Sequence, residues 1–486
     1  MKRIASVLVP ALALLATACK QGPDFEPPAP ATPAEFRTEL PSGESVANTT
    51  WWDLYQDPVL RDLVSRGLEN NRSLREAMAR IAEVRSGVTI ANSAKYPSLN
   101  GVALMAIQPS AGDNDSLSVF DNVRLIGSAS YELDLWGRVA RSSEAAAAGL
   151  LATEEAYRTV TISLVSEIAS TYLLLRDIDA RIAITENVIA ANQASYDLMA
   201  TRAEGGLVPE VDLRRQEINL ADSDAVLAKL RRARAQAENG LSLLVGELPQ
   251  EITRGTSLAE QDFPPAVPAG LPSELLQRRP DILAAERALH AQTARIGVAE
   301  ASRFPKLSLS ASGGGKVTSQ GDATVQGLFM NLGANLLAPI FNGGALKAAS
   351  EAERARTIQV LNQYEQVVLN AFREVEDALV SVETYREEHE ARLRQAEAAR
   401  SALATVEVLY DGGLVSYQEV LDLQKGVFGA ELQASESLQQ HHTAIVKLYK
   451  ALGGGWTPPE EWATADEPAG AGAAAVPSEN ELLDPR

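Results

Sequence analysis

The segment EGGLVPEVDL, Glu204 to Leu213, returns as DGGLVSYQEVL from Asp411 to Leu421. Gly205-Gly206-Leu207-Val208 and Gly412-Gly413-Leu414-Val415 stand 207 residues apart. The same offset carries Leu244-Val245-Gly246 onto Ala451-Leu452-Gly453. An offset of 208 aligns Tyr96-Pro97-Ser98-Leu99 with Phe304-Pro305-Lys306-Leu307, and Leu74, Ala77 and Ile81 with Ile282, Ala285 and Leu289. Self-similarity at a long, fixed period marks a repeated architecture. The chain is a tandem duplication.

From Arg138 to Glu204 there is no proline and one glycine, Gly149; from Ala345 to Asp411 there is neither. At 1.5 Å per residue each stretch predicts a helix of roughly 100 Å. Such lengths mean a coiled coil, a bundle or a conduit. Past each Gly-Gly pair the chain reads as a return helix. Leu213, Leu220, Leu227 and Leu241 keep a seven-residue spacing, interrupted by Arg234, and Val420, Val427, Ala434, His441 and Leu448 take the matching places. That spacing is a packing seam. Each half is therefore an antiparallel helical hairpin, its incoming helix capped by glycine in the left-handed conformation. Pro209 suits the first helical position of one outgoing helix. Ser416 and Glu419 suit a capping box for the other. Shorter helices are expected at about 71–95 and 281–303, each stopped by Tyr96-Pro97 or Phe304-Pro305.

Between short and long helix lie strand patterns. In VRLIGSASYELDL, Val123, Leu125, Gly127, Ala129, Tyr131, Leu133 and Leu135 share one face; Arg124, Ser128, Ser130, Glu132 and Asp134 share the other, with Ile126 out of pattern. Lys306 to Gly314 alternates Lys and Ser with Leu and Ala, and Leu328, Met330, Leu332, Ala334, Leu336, Ala338 and Ile340 alternate with Gly and Asn. Leu99 to Ile107 alternates poorly. Period-two runs of about ten residues, apolar on one face, suit membrane-spanning strands; a soluble sandwich is the bland alternative. No segment after the leader reaches the roughly 20 apolar residues of a spanning helix. Four strands cannot close a barrel, and lipid satisfies no open edge. Two copies give eight strands and three give twelve.

The net charge of −20 leaves no basic face for nucleic acid. Residues 1–18 read as a signal peptide: Lys2-Arg3, an apolar run from Ile4 to Ala16, then Ala18. Cys19, the only cysteine, cannot staple an exported fold. Residues 19–50 read as a tether, 51–250 as the first repeat, 251–270 as a linker, 271–455 as the second repeat, and 456–486 as a disordered acidic tail. No catalytic constellation or cofactor motif emerges. His441 and His442 are adjacent and cannot face one metal from a helix. Met78, Met105, Met199 and Met330 are scattered, and Gly313-Gly314-Gly315 lacks a phosphate-loop Lys-Ser. Acidic residues lining a lumen would favour cations.

WWDLYQDPVLRDLVSRGLENNRSLREAMARI from Trp51-Trp52, with Asp57-Pro58, Leu60, Leu63, Asn71, Leu74 and Ala77, resembles the N-terminal signature of the outer membrane factor family. QRRPDILAAERAL, Gln277 to Leu289, resembles its second-half counterpart, and DLWGR (Asp134–Arg138) and PIFNGG (Pro339–Gly344) stand where that family's strands hand over to its helices. LLATAC resembles a lipobox, with Ala16 replacing the usual Leu, which makes Cys19 the lipid attachment site; Lys20 after it suits the outer membrane. The resemblance spans about 50 to 456 and points to the lipoprotein branch.

It implies an α+β membrane protein: a trimer with a twelve-stranded barrel in the outer membrane of a Gram-negative bacterium and a helical periplasmic tunnel. It implies the exit duct of a tripartite efflux system, with a periplasmic adaptor and an inner-membrane transporter of the resistance-nodulation-division type as partners. A type I protein-secretion outlet and a periplasmic coiled-coil adaptor are the alternatives; an adaptor would carry one hairpin rather than two. By the same resemblance Tyr410, Gln418, Asp422 and Lys425 close the periplasmic end, with Arg215 at the first-half equivalent of Asp422 and Lys425 as a neutralising partner at i, i+3. The tips Gly205–Val208 and Gly412–Val415 are the expected adaptor contacts.

Overall fold

The computed structural model describes residues 20–30, 32–33, 36–37, 56–111, 117–261, 272–320 and 323–454. Cys19, Trp51-Trp52 and the tail from 456 lie outside them. Each half repeats one series of elements. The first has α1 (Pro58–Asn70), α2 (Arg72–Ser93), β1 (Ser98–Ala111), β2 (Leu117–Leu133), α3 (Arg138–Glu204) and α4 (Glu210–Leu244). The second has α5 (Leu275–Arg278), α6 (Pro280–Ala301), β3 (Lys306–Gln320), β4 (Ala323–Leu337), α7 (Ala345–Asp411) and α8 (Tyr417–Ala451). The long helices α3 and α7 have 67 residues each. Their return helices α4 and α8 have 35 each. In these four helices the duplication is preserved to the residue.

Two compact units each draw on both halves. Among the described residues, one comprises those within 20–30, 80–154 and 284–366, and the other those within 32–79, 155–283 and 367–454.

The first unit holds the sheet, antiparallel in the order β1-β2-β3-β4. Residues paired across an antiparallel ladder share a face. The ladders align Leu99, Ala129, Ala311 and Leu332 in one row, and Ala103, Leu125, Gly315 and Leu328 in another. The opposite face aligns Ser98, Ser130, Ser310 and Gly333, then Asn100, Ser128, Ser312 and Asn331. β1 therefore obeys the shared pattern despite its irregular alternation. On the apolar face Leu99 is 80% exposed and Leu328 93%. From Val123 to Leu133 the strand rises about 34 Å at roughly 3.4 Å per residue. A tilt of about 40° leaves roughly 26 Å across the membrane, the height of a lipid-facing apolar band. Leu337 ends β4, so Ala338 and Ile340 fall outside the expected strand. Pro339 supplies no ladder donor there.

At the strand-to-helix handover after β2, Asp134 accepts from the backbone N–H of Val139 (3.1 Å) and Ala140 (2.8 Å), capping α3. Gly137 turns with φ 74°. Trp136 stacks on Phe304 at 4.6 Å and donates Nε1–H to Pro305 O at 2.8 Å. Residues 20–30, expected as a free tether, form an ordered strap on this unit. Arg141, 1% exposed, donates to Gln21 O, Gly22 O and Asp24 Oδ1. Gly22 (φ 81°) packs on Gly297, where either Cβ would clash with backbone. Phe25 stacks on His290 at 4.5 Å.

The second unit holds the main core, where Leu60, Leu63 and Val64 of α1 pack with Ile168 and Tyr172 of α3, Leu241 of α4 and Ile445 and Leu448 of α8. The sequence reading overlooked α1, because a single residue, Asn71, parts it from α2. Asp57 shows why the Asp-Pro signature matters. Its carboxylate caps α1 through Val59 N (2.8 Å) and accepts from Tyr172 OH (2.8 Å), Thr256 N (2.9 Å) and Gln261 Nε2 (2.9 Å). Burial, and then Asp57 itself, push the Tyr172 hydroxyl pKa well up. Of the heptad stripe, Leu227, Leu241, Val420, Ala434 and Leu448 are buried. Among the described residues no helix is long and apolar enough to cross a membrane.

Candidate docking tips and periplasmic gate

Both hairpins of the second unit turn on the same backbone device. Gly206 N–H donates to Ala203 O and Leu207 N–H to Arg202 O, both at 2.9 Å; Gly413 to Tyr410 O and Leu414 to Leu409 O do the same at 2.9 Å. These are paired Schellman bonds, which need a left-handed residue before the last donor. Gly206 (φ 70°) and Gly413 (φ 71°) supply it. Leu207 is 77% exposed and Leu414 74%, with Val208 and Val415 partly covered beside them and Gly205 and Gly412 open.

Two expected caps differ. Pro209 is the residue before α4 (φ −65°, ψ 143°), not its first helical residue. Ser416 precedes α8 but makes no side-chain bond to the helix backbone; its Oγ meets Glu419 Oε1 at 3.5 Å. The capping box does not form, since each side chain satisfies the other.

At the second tip Gln418 meets Asp422 and Tyr410 lies beside Tyr417, while among the described residues no hydrogen bond or ion pair joins Lys425 to them. Asp422 is exposed and accepts from Gln418 Nε2 at 2.9 Å. Among the described residues it pairs with neither Lys425 nor Arg215. Arg215 binds Asp212 on its own helix at 3.5 Å, where one turn of α4 already places a carboxylate.

Near the tips the hairpins are joined by a contact the sequence reading missed. Tyr417 donates its hydroxyl to Gln216 Oε1 at 3.0 Å, across 201 residues. Gln216, 0% exposed, donates in turn to Asn192 O at 2.8 Å. Asn219 and Ser223 complete this buried chain through the Asn192 side chain. Tyr417 also packs with Met199, Val420 and Leu421, and its ring lies 5.3 Å from Tyr410. Burial, and then the neighbouring Tyr410, push its pKa up to about 12. Among the described residues no cluster of His, Cys, Asp or Glu could hold a metal.

The family model for the outer membrane efflux protein matches twice, at residues 63–247 and 271–454. The chain belongs to the outer membrane efflux protein family. It is 32% identical over 459 residues to the cation efflux system protein CusC of Escherichia coli, covering 92% of this chain and 97% of that one. It is 34% identical over 460 residues to the outer membrane protein OprJ of Pseudomonas aeruginosa, covering 92% and 95%. Its structure matches the open-state MtrE outer membrane channel of Neisseria gonorrhoeae with a TM-score of 0.80 at 30% identity, over 90% of this chain and 99% of that one. This outer membrane efflux protein is thus an exit duct in the Gram-negative outer membrane. Each chain brings four strands to the barrel and long helices to the periplasmic tunnel.

Proposed function

We propose that three copies of the chain close one barrel and conduct small solutes passively, delivered by an inner-membrane pump of the resistance-nodulation-division type through a periplasmic adaptor. Conduction rather than catalysis is its work. One observation supports closure by further copies. The outer edges of β1 and β4 pair with no described strand, while Tyr96 is 71% exposed and Phe341 90% exposed at their ends. These two residues stand where Phe304 and Trp136 meet within the chain. Continuing that joint into the next copy covers both and pairs both edges.

The exposed Leu207 and Leu414 support docking of the adaptor at the tips, because large apolar side chains at a distal turn contribute nothing to the core they leave. Leu207→Asp with Leu414→Asp should abolish efflux while trimers still form; full resistance with normal expression would remove the tips from the interface. At the gate, three Asp422 carboxylates gathered round a threefold axis repel one another. Gln418 restrains each one, and Tyr410 braces the Tyr417 clasp. Asp422→Ala with Tyr410→Phe should raise single-channel conductance in planar bilayers. An unchanged conductance and ion preference in a folded trimer would place the gate elsewhere. The relatives' names span cations, solvents and toluene. That breadth supports leaving cargo choice to the pump.

A further inference from the structure

In the second unit an offset of 207 carries α3 onto α7 and α4 onto α8, residue for residue. Within the chain α3 lies against α8. Ile162, Val165 and Ser166 adjoin Val446 and Tyr449, Ser435 donates to Asp177 at 2.6 Å, and Arg181 meets Glu436 at 3.8 Å. The repeat of that packing sets α7 against α4.

Those repeated faces are bare. On α3, Ile162 and Leu173 are 4% and 0% exposed, and Asp177 is buried; steps of eleven and four residues keep them, with Arg181, on one side of the helix. Their counterparts on α7 are Leu369, at 63%, Val380, at 49%, and the exposed Thr384. On α8, Val446 is buried; its counterpart on α4, Asn239, is exposed, and Leu243, at the place of Lys450, is 75% exposed. A repeated unit buries such a face on its neighbour.

The charges on these faces are inverted. Glu388 takes the place of Arg181, and Lys229 that of Glu436. Lys229 is exposed and pairs with no acid among the described residues. Glu388 meets Arg392 of its own helix at 3.3 Å and remains 41% exposed.

We propose that α7 of each copy receives α4 of the next along this face, Glu388 pairing with Lys229 of that copy, and that the inverted polarity fixes the order of hairpins round the tunnel. The seam inside the chain runs base to acid from α3 to α8; the seam between copies runs acid to base from α7 to α4. Two wrong pairings are geometrically similar. With α3 on the α4 of another copy, Arg181 would face Lys229; with α7 on the α8 of another copy, Glu388 would face Glu436. Both oppose like charges, and repulsion in the wrong complex is a source of specificity. Head-to-tail contacts of this kind close into a ring.

This inference rests on the trimer reading, and the experiment keeps the two apart. Light scattering in mild detergent counts the copies of the natural chain; a stable monomer would overturn the trimer and the seam together. Lys229→Cys/Glu388→Cys is then treated with a short bifunctional maleimide. We expect covalent dimers and trimers in denaturing gels, absent from either single variant, whereas Arg181→Cys/Glu436→Cys should link only within one chain. Intact trimers whose double variant links no better than the single ones would overturn the seam and leave the trimer standing. Lys229→Glu should make detergent-solubilised trimers dissociate several-fold faster at low salt, and Lys229→Glu/Glu388→Lys should restore the natural rate. Dissociation of Lys229→Glu at the natural rate, or a swap that restores nothing, would overturn the ion pair.

Discussion

The two handovers from strand to long helix are the same step of one repeat, yet they end in opposite conditions. After β2, Trp136 is covered by Phe304 and bonded to Pro305 O. After β4, Ile340 and Phe341 are 96% and 90% exposed. The residues are comparable in size and apolar character, so chemistry is not the difference. The first handover lies against the start of the second repeat, and the second is left exposed in the single chain. A duplicated chain of this kind is an open segment of a ring, and the exposed Ile340 and Phe341 are what the proposed joint with the next copy would cover.

The largest effect should come from spoiling that end. Phe341→Asp should shift most of the protein from trimer to monomer in mild detergent, read by light scattering, because a carboxylate cannot stack on a ring or be buried unpaired. Trp136→Phe, which keeps the stack and loses one hydrogen bond, should leave trimers intact. Trimers of undiminished stability in Phe341→Asp would break the equivalence of the two joints.

The halves differ again where each return helix ends. Asn71 donates Nδ2–H to Leu244 O at 2.8 Å, and 208 residues on Arg279 donates Nη1–H to Ala451 O at 2.9 Å. Both satisfy a carbonyl the helix leaves open. Arg279 also binds Asp281 and Glu374 at 2.6 and 2.8 Å, and its own pKa is raised by those partners against the opposing effect of burial. Arg279→Ala should therefore cost about 2–3 kcal/mol and Asn71→Ala about 1–2 kcal/mol, in proportion to charged and neutral bonds lost. Denaturant unfolding ranks them; equal costs would mean the charge adds nothing.

The smallest effect concerns histidine. His389, His441 and His442 gather in the second half, where the matching first-half positions hold Ile182, Arg234 and Ala235. Burial first, then His441 and His389, push the His442 pKa down to about 3. The unfolded chain takes up that proton near pH 6.5, so the stability linked to His442 is complete above pH 6.5 and declines as pH falls toward 3. Asp177, whose pKa burial raises, works in the opposite sense at low pH. His442→Gln should flatten the fall of unfolding midpoint between pH 7 and pH 5, and an unaltered slope would exclude His442 as its source.

Much of this was legible beforehand because it is local. Helix α3 fills the stretch between Gly137 and Gly205, and Gly206 and Gly413 take the left-handed conformation that two adjacent glycines announce. The strand faces were legible from alternation, save at Ile126. The Tyr417–Gln216 clasp was not legible, because nothing local ties residues 201 apart. Within the single chain Gln418 meets Asp422 and Asp212 meets Arg215, each within one helical turn, a local choice of partner that the residue spacing alone did not rank.

The strap beneath the strands has a mechanical meaning. Cys19 is covalently next to Lys20, so its Cα lies about 3.8 Å away. Two residues farther, Gly22 is wedged against Gly297 and held by the buried Arg141. An acyl chain on Cys19 would thus hang on a leash with almost no slack, and a tug on the lipid would reach the foot of the first long helix without being absorbed along the way.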